Sequence, residues 1–224
     1  MLAAALALIF SCPDAIPQER LVLRGPSAGS HVRLGRVGEL LSIEGRISGA
    51  RPAGCRPSGN GHGVVCPLGD VGGIELSMGP QGDLVEVMDK LPIPLTVRLG
   101  DGSDKFIGSG EPDTCYPEGA RRNRCIGGGG DDICITGNRN SDCVGDRGDD
   151  YCQTGAGSDG CWGGPGDDVC RMGAGEDGCH GEGGNDRLYG GPNPDQLYGG
   201  RGYDFCDGLP GRGRSHGCEA GPGR

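Results

Sequence analysis

The sequence predicts an all-β chain wound into a parallel β-roll, a β-solenoid of nine-residue units, with a small β-rich N-terminal cap. Three observations predict it. Cys134, Cys143, Cys152, Cys161, Cys170 and Cys179 recur every nine residues; Phe106 and Cys115 begin the series, and Leu188, Leu197 and Cys206 continue it. An aspartate stands two places before most of these residues, and glycines cluster ahead of each aspartate. A short period held over about a hundred residues means stacked turns, since each unit can bury its apolar residue only against its neighbours. Composition agrees: 50 glycines, 4% aromatics and 34% hydrophobics supply too little bulk for an ordinary globular core of 224 residues. A disordered chain could share that composition, but disorder requires no register.

The unit reads G-G-x-G-x-D-x-U-x, with U the inward apolar position. Residues 163–171 (GGPGDDVCR) are nearly complete, and 127–135, 145–153, 154–162, 172–180, 181–189, 190–198 and 199–207 are variants. Residues 99–107 and 108–116 fit more loosely. The stretch 117–126 is one residue too long, and 136–144 carries Ser141 where aspartate is expected. Over residues 99–207 the chain resembles the repeats-in-toxin, or haemolysin-type, calcium-binding proteins.

That resemblance implies a fold and a ligand. Two units make one turn, so residues 18 apart stack at the ~4.8 Å spacing of neighbouring strands. One edge then carries Asp132, Asp150, Asp168, Asp186 and Asp204, and Asp113 joins it if the extra residue near Ala120 is a bulge. The opposite edge carries Asp159, Asp177 and Asp195, headed by Asp104, with Asn123 and Ser141 interrupting it. Calcium takes six to eight oxygens, carboxylate and carbonyl alike. Glycine turns can point carbonyls inward at positive φ, which nominates Gly128, Gly130, Gly148, Gly164, Gly166, Gly184, Gly200 and Gly202 beside the aspartates as metal-site residues. Without calcium the stacked carboxylates repel, so binding would supply folding free energy. Asp131, Asp149 and Asp167 lie next to the ligand places and are expected to add field rather than bonds. Ordinary Asp-Gly turns on a solvated surface are the competing reading, though isolated turns need not keep a step of nine.

Four segments follow: a signal peptide over 1–15, a β-rich cap region over 16–98 with a decayed repeat, the calcium-binding roll over 99–207, and a tail over 208–224. Asp83 and Val85 hold the aspartate and U places of the decayed repeat (MGPQGDLVEV). The apolar start indicates secretion, with a lipid anchor at Cys12 as the minor alternative. No other segment approaches the ~20 apolar residues of a membrane span. Thirteen cysteines suit an exported chain. Cys55 and Cys66 flank a polar loop as a disulfide pair, and Cys206 and Cys218 form a second pair that folds the tail back. No C-x2-C pair exists and the four histidines are scattered, so zinc is disfavoured. In the roll, stacked cysteines lie within disulfide reach, whereas facing ones would require a roll thinner than the ~10 Å of packed sheets.

The net charge of −10 is uneven, with 21 acidic against 9 basic side chains between Leu99 and Asp207. Such a surface repels nucleic acid and attracts divalent cations. Gly25-Pro26-Ser27-Ala28-Gly29 matches the serine-hydrolase elbow pattern, but no strand–helix context surrounds it. Trp162, Tyr189 and Tyr198 fall at ninth positions on the outer strands, as a partner surface or as lone exposed aromatics. The expectation is therefore a secreted, non-catalytic calcium-binding roll with a structural, adhesive or cell-surface role. Two alternatives are an export module separated from an enzyme or toxin domain, and a disulfide-stapled scaffold that binds no metal.

Overall fold

The computed structural model describes residues 19–48, 54–59, 63–88, 91–119, 121–208, 210–211 and 213–221. The signal-peptide and lipid-anchor readings lie outside them, as does Cys12. Two β-sheets face one another, and the chain alternates between them. Nine strands stack in parallel in the first sheet: Glu19–Arg24, Val71–Ser77, Leu95–Gly100, Thr114–Pro117, Ile133–Ile135, Tyr151–Gln153, Val169–Arg171, Arg187–Tyr189 and Phe205–Asp207. The second sheet stacks Leu84–Val87, Lys105–Ile107, Asn123–Gly129, Ser141–Arg147, Gly160–Pro165, Gly178–Gly183, Gln196–Arg201 and Arg214–His216, also in parallel. Among the described residues no helix is long and apolar enough to cross a membrane.

Register follows the inward residue. On the first sheet Cys115, Cys134, Cys152, Cys170, Leu188 and Cys206 are successive Cα partners. On the second, Phe106, Cys125, Cys143, Cys161, Cys179 and Leu197 are. All are buried. A slip of one residue would turn every inward side chain to solvent, so burial locks the register.

The parallel coil also runs upstream of Leu99. Val85 pairs with Phe106, and Leu76 pairs with Val97. Here aliphatic residues replace sulfur: Leu21, Leu23, Leu76, Val97 and Leu99 are fully buried. An antiparallel meander of His31–Val37, Leu40–Glu44, Gly63–Pro67 and Arg56–Pro57 closes this end of the second sheet. Its last strand has two residues and contains a proline, which blunts an edge that could otherwise recruit another strand. Cys55 and Cys66 are disulfide-bonded there. At the other end Cys206–Cys218 returns the tail, and Phe205 bridges to Ala220.

Facing disulfides do form within the roll, contrary to the expectation from ordinary sheet spacing. Cys115–Cys125 and Cys161–Cys170 span the two sheets with Cα separations of 6.4 and 6.5 Å. These fit the ~4.4–6.8 Å that a disulfide allows. The sheets come this close because each first-sheet repeat strand contributes one inward side chain, and that side chain is mostly a thiol.

The outer aromatics are not isolated either. Trp162, His180, Tyr198 and His216 form one stack on the outer face of the second sheet, with centroids 6.0, 4.6 and 5.4 Å apart. Tyr189 packs instead against Phe205 and under Arg171. Ser27 stands in a bend between Glu19–Arg24 and His31–Val37, and no helix follows it, so the hydrolase elbow is not built.

Candidate metal-binding edges

The repeat aspartates form two ladders along the edges of the roll. On the stronger edge each backbone N–H donates to the Oδ1 of the aspartate one turn ahead. Leu95 donates to Asp113, Asp113 to Asp132, Asp132 to Asp150, Asp150 to Asp168, Asp168 to Asp186 and Asp186 to Asp204, at 2.7–2.9 Å. Glu219 from the tail ends the series by accepting from the Asp204 N–H at 2.8 Å. The separation is 19 residues from Asp113 to Asp132 and 18 beyond, so the extra residue lengthens one turn without breaking the ladder; Ala120 itself lies outside the described residues.

The second edge is interrupted, as its sequence indicates. Ser30 donates to Asp83, Asp83 to Asp104, and Asp104 to the Asn123 Oδ1. It resumes from Ser141 to Asp159, Asp177 and Asp195. The Ser141 hydroxyl has no reach for the ladder and donates to the Arg139 carbonyl instead, at 2.8 Å.

One carboxylate oxygen per aspartate is thus satisfied; the other is not. The Oδ2 atoms of Asp83, Asp104, Asp132, Asp150, Asp159, Asp168, Asp177, Asp186, Asp195 and Asp204 are buried without a hydrogen-bond partner. A buried unpaired carboxylate oxygen is costly, so it takes a proton or a cation. Burial accordingly raises the carboxyls of Asp132, Asp150, Asp168 and Asp186, and neighbouring carboxylates add to the rise, while the backbone N–H bonds oppose it. Asp132 is pushed up to about 8, Asp168 to about 7, and Asp150 and Asp186 to about 6. On the second edge burial raises Asp104 and Asp177 to about 6, and raises Asp159 and Asp195 as well. Asp113 differs. Its Oδ2 accepts from the Ser109 N–H at 2.8 Å and from the Ser109 hydroxyl at 3.1 Å, so the place a cation would take is filled.

The orphan oxygens face glycines that the spacing alone does not mark as site residues. They are the first-place glycines Gly127, Gly145, Gly163, Gly181 and Gly199, each five residues before its aspartate. A Cβ at Gly163 would overlap the Asp168 Oδ2 and lie 2.7 Å from its Cγ. At Gly145 a Cβ would meet both the Asp150 Oδ2 and, at 2.6 Å, the carbonyl of Gly163 in the next turn. Carboxylate and carbonyl oxygens of successive turns therefore converge on one small cradle that only glycine leaves open. On the weaker edge Thr136, Thr154 and Met172 hold the first place, and only Gly190 keeps the cradle, against the Asp195 Oδ2.

The nominated turn glycines have positive φ, a conformation that glycine adopts without strain. Gly130, Gly148, Gly166, Gly184 and Gly202 have φ from 93° to 153°, and Gly128, Gly164 and Gly200 from 115° to 120°. Asp146 and Glu182 take that second place at φ 75° and 79°, which L-residues rarely adopt.

Asp131, Asp149 and Asp167 make direct bonds rather than field alone. Asp131 Oδ1 accepts from the Asp149 N–H, Asp149 Oδ1 from the Asp167 N–H, and Asp167 Oδ1 from the Asn185 N–H. This outer, exposed ladder runs opposite in sense to the buried one and ties the glycine turns together.

Among the described residues, no three carboxylates gather at one point; the convergent ligand groups are cysteines. A cation on the edge would therefore take few carboxylates and complete its shell with carbonyls, which suits a hard ion that accepts six to eight mixed oxygens. The donor set is all oxygen, anionic and repeated at each turn.

Residues 144–170 and 180–213 match the RTX calcium-binding nonapeptide repeat in four copies. Those segments form an RTX-type calcium-binding β-roll. The matched segments of the RTX roll include Asp150, Asp159, Asp168, Asp186, Asp195 and Asp204, while Asp132 and Asp177 lie on the same ladders outside the match. No curated protein and no solved structure matches the chain.

Proposed function

We propose that this chain is an extracellular, non-catalytic calcium-binding protein with a structural or surface-adhesive role. Its ions are held between successive turns, chiefly along Asp132, Asp150, Asp168, Asp186 and Asp204. The observation that carries this reading is the row of buried, partnerless Oδ2 atoms, each against a first-place glycine. Gly145 and Gly163 supply the open space and a carbonyl, and Asp150 and Asp168 supply the charge. The ion would add the positive charge that lets these carboxylates stay ionised in a buried edge. Four disulfides and an acidic, cation-attracting surface support an oxidising, calcium-rich setting.

Calorimetric titration of the disulfide-intact protein with calcium tests this. The wild type releases or absorbs site-specific heat in the millimolar range or below, and an Asp150→Asn/Asp168→Asn variant loses much of it. Asp131→Asn keeps it, because that carboxylate serves the outer ladder. Equal losses in both variants, or no heat from the wild type, would contradict the assignment.

A further inference from the structure

The buried sulfur column carries an inference that does not depend on metal binding. Cys134, Cys143, Cys152 and Cys179 are free and buried around the Cys161–Cys170 disulfide. The thiol of Cys134 is hydrogen-bonded with those of Cys143 and Cys152. The sulfurs of Cys143, Cys152 and Cys161 lie within 4.8 Å of one another, and so do those of Cys161, Cys170 and Cys179. Six sulfurs thus form one run in which each facing neighbour is close enough to bond after small rotamer changes.

We propose that the mature, oxidised roll pairs these six as Cys134–Cys143, Cys152–Cys161 and Cys170–Cys179. Counting along the column decides the phase. The shifted phase, which contains Cys161–Cys170 and Cys143–Cys152, strands Cys134 and Cys179 at its ends. Upstream, Cys125 is already bonded to Cys115; downstream, the next inward residue is Leu188. Only the proposed phase uses every sulfur, and it continues the first-sheet-to-second-sheet order of Cys115–Cys125. Stacked bonds such as Cys134–Cys152 are disfavoured, because side chains in register on parallel strands point the same way. Both bonds observed inside the repeats join facing sheets.

From the arrangement with Cys161–Cys170 bonded, one exchange and two oxidations reach the full set. In the exchange, the Cys179 thiolate bonds to the Cys170 sulfur, the Cys161–Cys170 bond breaks, and Cys161 leaves as the thiolate and takes up the proton. No electrons are gained or lost. Each oxidation, at Cys134/Cys143 and at Cys152/Cys161, passes two electrons and two protons to a small-molecule disulfide, which leaves as two thiols. All six sulfurs are buried in the closed coil, out of reach of an external thiol or disulfide, so the phase is set while the coil forms.

Peptide mapping tests it directly. Protein carrying Cys12→Ser is refolded with calcium and oxidised glutathione, denatured, alkylated without reduction and cut at arginine and at aspartate. The expected result is three cross-linked peptides, Cys134–Cys143, Cys152–Cys161 and Cys170–Cys179, with no alkylation at the six. A Cys161–Cys170 cross-link with alkylated Cys152 and Cys179 overturns the proposal, as does alkylation of all four thiols. Cys179→Ser gives a second reading. Under the proposal it creates one alkylated thiol where the parent has none; in a chain that keeps Cys161–Cys170 it removes one.

Discussion

Metal-free roll should be more stable in mild acid than at neutral pH, and calcium should reverse that order. The perturbation is chelation of divalent cations followed by a step from about pH 5 to about pH 8. Asp168 shows the size: burial lifts its carboxyl from 3.8 to about 7. A rise of roughly three units corresponds to about 4 kcal/mol between the two protonation states. The sign follows from proton counting. A folded-state value above the unfolded one means the folded chain holds more protons between about pH 4 and about pH 8, so that stability is complete below the unfolded value and is lost as pH climbs through the folded ones. Asp132 extends the window to about 8. Neighbouring aspartates share these repulsions, so the contributions along the ladder do not simply add. The step from pH 5 to pH 8 crosses about two of those units, about 3 kcal/mol, enough for one carboxylate to lower the melting temperature by roughly 5–10 °C in a domain of this size. Thermal melts followed by far-ultraviolet circular dichroism, in chelator and in millimolar calcium at both pH values, measure it. In calcium the ordering inverts, since deprotonated carboxylates bind the ion better. A chelated melting point that is flat or rises from pH 5 to pH 8 would refute the reasoning.

Two further outcomes follow from single contacts. Gly163→Ala places a methyl on the Asp168 Oδ2 although Gly163 itself needs no positive φ; it should cost about 1–3 kcal/mol by overpacking and weaken calcium binding, read by denaturant melts and calorimetry. Glu219→Ala removes the carboxylate that accepts from the Asp204 N–H; a loss of about 1 kcal/mol and faster amide exchange at Asp204 are expected, with exchange elsewhere on the ladder unchanged.

Much of this architecture was legible because one period carries several jobs at once. The step of nine places Cys134, Cys152 and Cys170 in one column and Asp132, Asp150 and Asp168 in another. The Cys55–Cys66 and Cys206–Cys218 bonds also follow from their flanking turns and from the tail's return. What was not legible depends on contacts between turns rather than on the pattern within one. The first-place glycines read as mere turn formers until Asp150 and Asp168 are seen folding against Gly145 and Gly163. Ser109 occupies an ordinary second place in its unit, and nothing in the spacing shows that its hydroxyl and N–H fill the Asp113 site. Glu219 lies where the period has ended, so its capping role has no sequence signal. Facing disulfides depend on a roll thinner than ordinary packed sheets, a thickness the spacing does not show and a column of thiols permits. Upstream of Leu99 the coil persists through Leu76, Val97 and Leu95, where aliphatic packing replaces the glycine–aspartate signature.

The central claim is that cations sit at the buried carboxylate oxygens of the inner ladder, and an anomalous-scattering map from crystals grown with terbium in place of calcium tests it most directly. The account predicts a row of peaks beside the Oδ2 atoms of Asp132, Asp150, Asp168, Asp186 and Asp204, repeating at the ~4.8 Å pitch of the turns or a small multiple of it. Peaks confined to the exposed Asp131, Asp149 and Asp167 row, or none along that edge, would contradict it.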